Sequence, residues 1–110
     1  MSAQLKMGVI GLGRMGQLYA RTLATQVTGV QLYAVAEFAD QLRTTMANEF
    51  AVPHAFADVH ELLALPELDA VVIATPTNTH PELVIAAARA GKAIFCEKPL
   101  AFLPPREPSS

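Results

Sequence analysis

Residues 7–16 read MGVIGLGRMG. The stretch belongs to a short apolar run, Lys6 to Ile10, that gives way to three glycines spaced G-x-G-x-x-G. An apolar run that stops on glycine reads as a buried strand. From Met15 the pattern changes period: Met15, Leu18, Tyr19 and Leu23 fall at i, i+3, i+4 and i+8, the stripe of one helix face. A glycine turn therefore joins a strand to a helix, and this junction decides the fold.

The same alternation continues along the chain. Thr28-Gly29 breaks the first helix, and VQLYAVA at 30–36 reads as a strand covered on both faces. Ala39, Leu42, Met46, Ala47 and Phe50 mark a second helical face, closed by Pro53. HAFA at 54–57 is a minimal third strand. Asp58 and Glu61 form an Asp-x-x-Glu start signal for a short helix. DAVVIATP at 69–76 is strongly strand-like, with three consecutive β-branched residues. Thr79 and Glu82 repeat the capping signal, Pro81 is tolerated in a first turn, and Gly91 ends that helix. AIFC at 93–96 is the fifth strand. Five strands with helical connections predict an α/β fold, a doubly wound parallel sheet of the Rossmann-like kind that ends after its fifth strand.

Composition sets outer bounds. The chain has 110 residues, 52% of them hydrophobic and 16% charged, which is too apolar for disorder and enough for one domain. A net charge of −2 without a basic stripe gives no electrostatic case for nucleic acid or an anionic membrane. No run approaches the length of a membrane-spanning helix, and the N-terminus lacks the pattern of a signal peptide. Cys96 is the single cysteine, so no internal disulfide forms and a cytoplasmic location is expected. At a strand end, it reads as a small core residue rather than a nucleophile. His54, His60 and His80 are scattered without ligand spacing, so no metal site is expected.

The glycine turn carries the first functional signal. Gly11 permits a tight turn, Gly13 lets the backbone approach a pyrophosphate, and Gly16 lets helix and strand pack closely. Leu12, Arg14 and Met15 complete the loop, whose helix N-terminus offers N–H groups and partial positive charge to phosphates. The bland alternative is a glycine turn with no ligand. Such a motif calls for an acidic residue about twenty positions on, at the end of the second strand. Glu37 stands 21 positions after Gly16. A carboxylate there accepts from both adenosine ribose hydroxyls and repels a 2′-phosphate, which favours NAD over NADP. Its alternative reading is a solvated loop residue. Arg43 lies a turn or more into the next helix and is not read as a phosphate clamp.

Ligands of open α/β sheets lie beyond the carboxyl ends of the strands, where two further segments end. One is Thr75-Pro76-Thr77-Asn78-Thr79-His80, and the other is Glu97-Lys98-Pro99. With GVIGLGRMG, ATPTNTH and CEKPLA in this order, the chain resembles the N-terminal domain of the glucose–fructose oxidoreductase / inositol dehydrogenase family (Gfo/Idh/MocA). The likeness runs over about residues 6–101. GQLYARTLA and AAARAGKAIFCEKPLA further resemble the inositol 2-dehydrogenase-like members.

The resemblance implies roles for matching residues. Lys98 would be the catalytic lysine, bonding the substrate hydroxyl and assisting proton movement. Glu97 would help place it near the nicotinamide ribose. Thr75, Pro76, Asn78 and His80 would line the cofactor channel; His80 also reads simply as a first-turn helix residue. The implied chemistry is hydride transfer between a sugar or polyol hydroxyl and NAD.

The resemblance also implies what should follow. Family enzymes continue with a helix, a sixth strand and a second domain that carries the substrate pocket. FLPPREPSS instead places Pro104, Pro105 and Pro108 where that helix would form, and each proline costs a helix interior about 3 kcal/mol. Residues 1–101 are therefore expected to form the dinucleotide-binding domain, and 102–110 a Pro/Ser-rich tail outside the family pattern, as in a truncated chain. On that reading the isolated chain is inactive. Substrate would bind only with a second domain supplied, and an exposed fifth strand and uncovered apolar surface would drive self-association. The alternatives are a non-catalytic nucleotide-binding module and a non-functional remnant.

Overall fold

A computed structural model describes residues 4–75, 80–96 and 101–103. Strand β1 (Leu5–Ile10) leads through the glycine turn into helix α1 (Arg14–Thr25). Strand β2 (Val30–Ala36), helix α2 (Asp40–Glu49), strand β3 (His54–Phe56) and helix α3 (Val59–Leu63) follow. Strand β4 (Ala70–Ile73), helix α4 (His80–Arg89), strand β5 (Ala93–Cys96) and strand β6 (Ala101–Leu103) complete the order.

The sheet runs β3-β2-β1-β4-β5-β6. The first five strands pair in parallel, as the alternation predicted. Strand order therefore reverses between β1 and β4, the switch point at which doubly wound proteins bind ligands. The chain breaks once from the expectation. The sheet does not stop at β5, because Ala101, Phe102 and Leu103 pair antiparallel with Cys96, Phe95 and Ile94. Strand β5 is consequently no free edge. The proline argument against a helix holds no force against three residues that finish before Pro104.

Each face of the sheet buries its own apolar layer. On one side Met7, Val9, Leu32, Val35 and Val72 pack with Ala20 of α1 and Met46 of α2. On the other, Ile10, Ala34, Val71 and Ile73 pack with Leu62 and Leu63 of α3 and Ala87 of α4. All four residues of β4 are buried, which is why its sequence is continuously apolar rather than alternating.

Local signals hold these elements in place. Asp58 Oδ1 accepts from the His60 N–H at 2.9 Å, so the Asp caps α3 as its sequence signal predicted. Gly91 sits at φ 78°, the left-handed conformation that ends a helix at little cost for glycine. Lys92, only 6% exposed, donates from Nζ to the carbonyls of Leu65 at 2.7 Å and Leu68 at 2.9 Å. It ties the segment after α3 to the start of β5.

Candidate dinucleotide site

The ladder continues one step past the strand ends and sets the floor of the site. The N–H of Gly11 donates to the Ala36 carbonyl at 2.8 Å, Glu37 to Phe56 at 2.9 Å, and Ala74 to Ile10 at 2.9 Å. The carboxyl ends of β1, β2, β3 and β4 are thereby fixed side by side. A cleft of about 190 Å³ opens over them, bounded by Gly11, Gly13, Glu37, Phe38, Val59 and Thr75 among others.

The three glycines have three separate physical reasons. Gly11 turns at φ 91°, and a side chain there would come within 2.8 Å of the Thr75 methyl and 3.2 Å of its backbone nitrogen. A Cβ on Gly16 would stand 1.8 Å from the Gly11 carbonyl oxygen. Helix α1 lies so close to the turn that no side chain fits between them. Gly13 differs, because a Cβ there would meet nothing within 4 Å. Its bareness serves no packing inside the protein and leaves the main chain open on the cleft side. Gly13 is also the N-cap of α1, so the cap residue has no side chain to bond the first-turn N–H groups, and no acidic residue occupies that turn. Leu12 is wholly buried and anchors the loop in the core.

Glu37 lies at the end of β2, facing the glycine turn. Its Oε1 accepts from the Leu12 N–H at 2.7 Å, and its Oε2 from the Ala39 N–H at 3.1 Å. Spacing alone suggested an acceptor for a ligand; the geometry adds that the same carboxylate braces the loop and the approach to α2. Each oxygen keeps further acceptor capacity for a ribose hydroxyl. Arg43 lies one turn into α2, and its guanidinium folds back rather than facing the cleft. Nη1 donates to the Glu37 carbonyl at 2.7 Å and Nη2 to Asp40 Oδ1 at 2.5 Å.

The expected nicotinamide-side residues divide in two. Thr75 is described and borders both Gly11 and the cleft. Pro76, Asn78, Glu97 and Lys98 lie outside the described residues, as does the His80 side chain, although His80 begins α4. Phe38, which no sequence motif singled out, is 84% exposed on the cleft rim. Among the described residues, no group of three or more His, Cys, Asp or Glu side chains could hold a metal ion. No described helix is long and apolar enough to cross a membrane.

A turn kept bare beside a helix N-terminus, with a carboxylate across from it at the switch in strand order, defines the class of dinucleotide-binding α/β domains. The chain belongs to the Gfo/Idh/MocA oxidoreductase family, NAD-binding Rossmann fold, whose pattern it matches over residues 5–108. That match runs past residue 101 into the Pro-rich tail. The chain is 43% identical over 98 residues to a myo-inositol 2-dehydrogenase of Thermotoga maritima, covering 89% of this chain and 29% of that protein. It is 41% identical over 100 residues to scyllo-inositol 2-dehydrogenase (NAD(+)) of Bacillus subtilis, covering 91% and 29%. The fold superposes on a crystal structure of scyllo-inositol dehydrogenase from Lactobacillus casei with bound NAD(H) and scyllo-inositol. That match has TM-score 0.81 and 29% identity, over 84% of this chain and 27% of the other. The chain thus spans about 29% of the length of the curated relatives it matches. It is an NAD-binding Rossmann domain.

Proposed function

We propose that the cleft takes NAD in preference to NADP and that the domain serves hydride transfer between a sugar or polyol hydroxyl and that cofactor. The observation that carries the reading is the open space beside Gly13, at an uncapped helix N-terminus, across from the Glu37 carboxylate. The backbone of residues 11–16 would hold the pyrophosphate. Glu37 would accept from the adenosine ribose and disfavour a 2′-phosphate. Two like charges about 4 Å apart cost roughly 1 kcal/mol in water and about 4 kcal/mol at an intermediate dielectric.

Thr75, Pro76, Asn78, His80 and Glu97 would line the nicotinamide side. Lys98 would hold the substrate hydroxyl, where an ammonium group stabilises a developing alkoxide. The bound nicotinamide supplies acceptance of the hydride. The polyol assignment draws on the inositol dehydrogenases named above. Titration of NADH against the chain, followed by its fluorescence, tests the reading. A saturable change with NADH and a weaker one with NADPH is expected. No change up to millimolar NADH contradicts it.

We also propose that the chain self-associates, with a second copy seated on the apolar groove beside α1. This groove, about 490 Å³, is lined by Met7, Leu18, Tyr19, Leu23, Val72 and Phe95. Leu18 is exposed there. Sedimentation that depends on concentration and is abolished by Leu18→Glu supports this, and a monomer at all concentrations refutes it.

A further inference from the structure

Glu37 is bonded at its N–H, its carbonyl and both carboxylate oxygens, and the bonds run to three parts of the fold. Its N–H donates to the Phe56 carbonyl of β3 at 2.9 Å. Its Oε1 accepts from Leu12 in the glycine loop, and its Oε2 from Ala39 at the start of α2. Its own carbonyl accepts from Arg43 Nη1 at 2.7 Å. Phe56, Leu12 and Ala39 act through their backbones, which the sheet and the loop place. Arg43 acts through its side chain, so a substitution removes that bond and leaves the others their partners.

Arg43 is itself held. Its backbone N–H donates to the Ala39 carbonyl at 2.9 Å, which sets it one turn into α2. Its Nη2 donates to Asp40 Oδ1 at 2.5 Å. The Arg43 side chain is only 18% exposed, whereas that of Asp40 is 85% exposed. An ion pair with so exposed a partner contributes little by its charge. What the guanidinium supplies is geometry: two nitrogens of one rigid plane tie the first turn of α2 to the end of β2. Without that tie the peptide plane after Glu37 is free to turn, and the Ala39 N–H two residues on moves away from Oε2.

We propose that Arg43 is a positioning residue for cofactor selection: through the Glu37 carbonyl it keeps the carboxylate aimed to accept from the ribose hydroxyls and to turn away a 2′-phosphate. This rests on the NAD reading above and adds the residue on which the aim of that carboxylate depends. Arg43 touches neither cofactor nor substrate in this role. Its charge works against the selection it supports, because a guanidinium attracts a phosphate. The sign of the change on its removal therefore separates positioning from charge.

The test measures NAD and NADP affinities of the unsubstituted chain, of Arg43→Met and of Arg43→Lys by isothermal titration. Arg43→Met should bind NAD about fivefold more weakly, the scale of one ordinary hydrogen bond, with NADP changed by less than about twofold. Arg43→Lys keeps the charge but not the planar fork, and should lose NAD affinity to a similar extent. It also keeps an aliphatic stem, so the comparison stands if Arg43→Met does not fold. A merely structural role weakens both cofactors alike, and a phosphate-attracting role weakens NADP alone. Either result overturns the proposal while leaving the cofactor reading intact, as does native NAD affinity in Arg43→Lys. No NAD binding by the unsubstituted chain overturns the cofactor reading and the proposal with it.

Discussion

The Gly16 position of α1 faces the carbonyl oxygen of Gly11 so closely that a Cβ would stand 1.8 Å from it, whereas a Cβ on Gly13 would meet open space. One loop therefore contains glycines kept for the protein and a glycine kept for what lies outside it. Gly16→Ala should destabilise the chain by about 1–3 kcal/mol or more, because α1 must lift from the turn. Gly13→Ala should cost no more than about 1 kcal/mol, the difference between these residues at a helix N-cap. Urea unfolding of the two variants measures the contrast. Equal destabilisation would contradict it.

Glu37→Gln separates bracing from selectivity. An amide has one acceptor oxygen where the carboxylate has two, so one of the N–H groups of Leu12 and Ala39 loses its partner. Stability should fall by about 1–3 kcal/mol. With the negative charge gone, affinity for NADP relative to NAD should rise by about fivefold or more. Thermal melts and paired titrations read the two effects. A variant that melts normally would show that the bracing bonds carry no stability.

Lys92 couples folding to alkaline pH. Burial holds its ammonium below the ordinary lysine value of 10.5, and Asp69 acts in the opposite direction. Between the lowered folded value and 10.5 the unfolded chain binds more protons than the folded one, so this residue makes stability rise with pH across that window. Lys92→Met removes two hydrogen bonds to carbonyls and should cost about 1–3 kcal/mol near neutrality. The deficit should widen as pH rises through the window. A deficit independent of alkaline pH would remove the proton linkage.

Lys98→Ala tests the division of labour proposed for the two ends of the site. If Lys98 acts on the substrate hydroxyl, its loss should change NAD affinity by no more than about twofold, as for a substitution outside the binding contacts. Isothermal titration with NAD checks this. A tenfold loss would reassign the lysine to cofactor binding.

Most of the architecture was legible because its signals are local. The shift from the β1 run to the helical spacing of Met15, Leu18 and Tyr19 needs no partner to be read. Neither do the Asp58 cap and the Gly91 stop. The features that escaped are long-range. Nothing near Ala101, Phe102 and Leu103 announces that three residues will return antiparallel along β5. The inward bonds of Glu37 arise only when β1 and β2 pair and bring Leu12 within 2.7 Å of its carboxylate. Lys92 looks like a surface lysine after a helix stop until the segment after α3 brings two carbonyls to it. The glycine motif pointed to the right loop, yet only the packing around each position separated the roles of Gly13 and Gly16.

Amide NMR spectra of the labelled chain during addition of NAD test the central claim most directly. The account predicts saturable shifts of the Leu12, Gly13 and Arg14 amides together with Glu37, all lost in Gly13→Val while the remaining spectrum stays folded. Spectra that do not move up to millimolar NAD, or shifts confined to residues away from the β1–α1 turn, would contradict it.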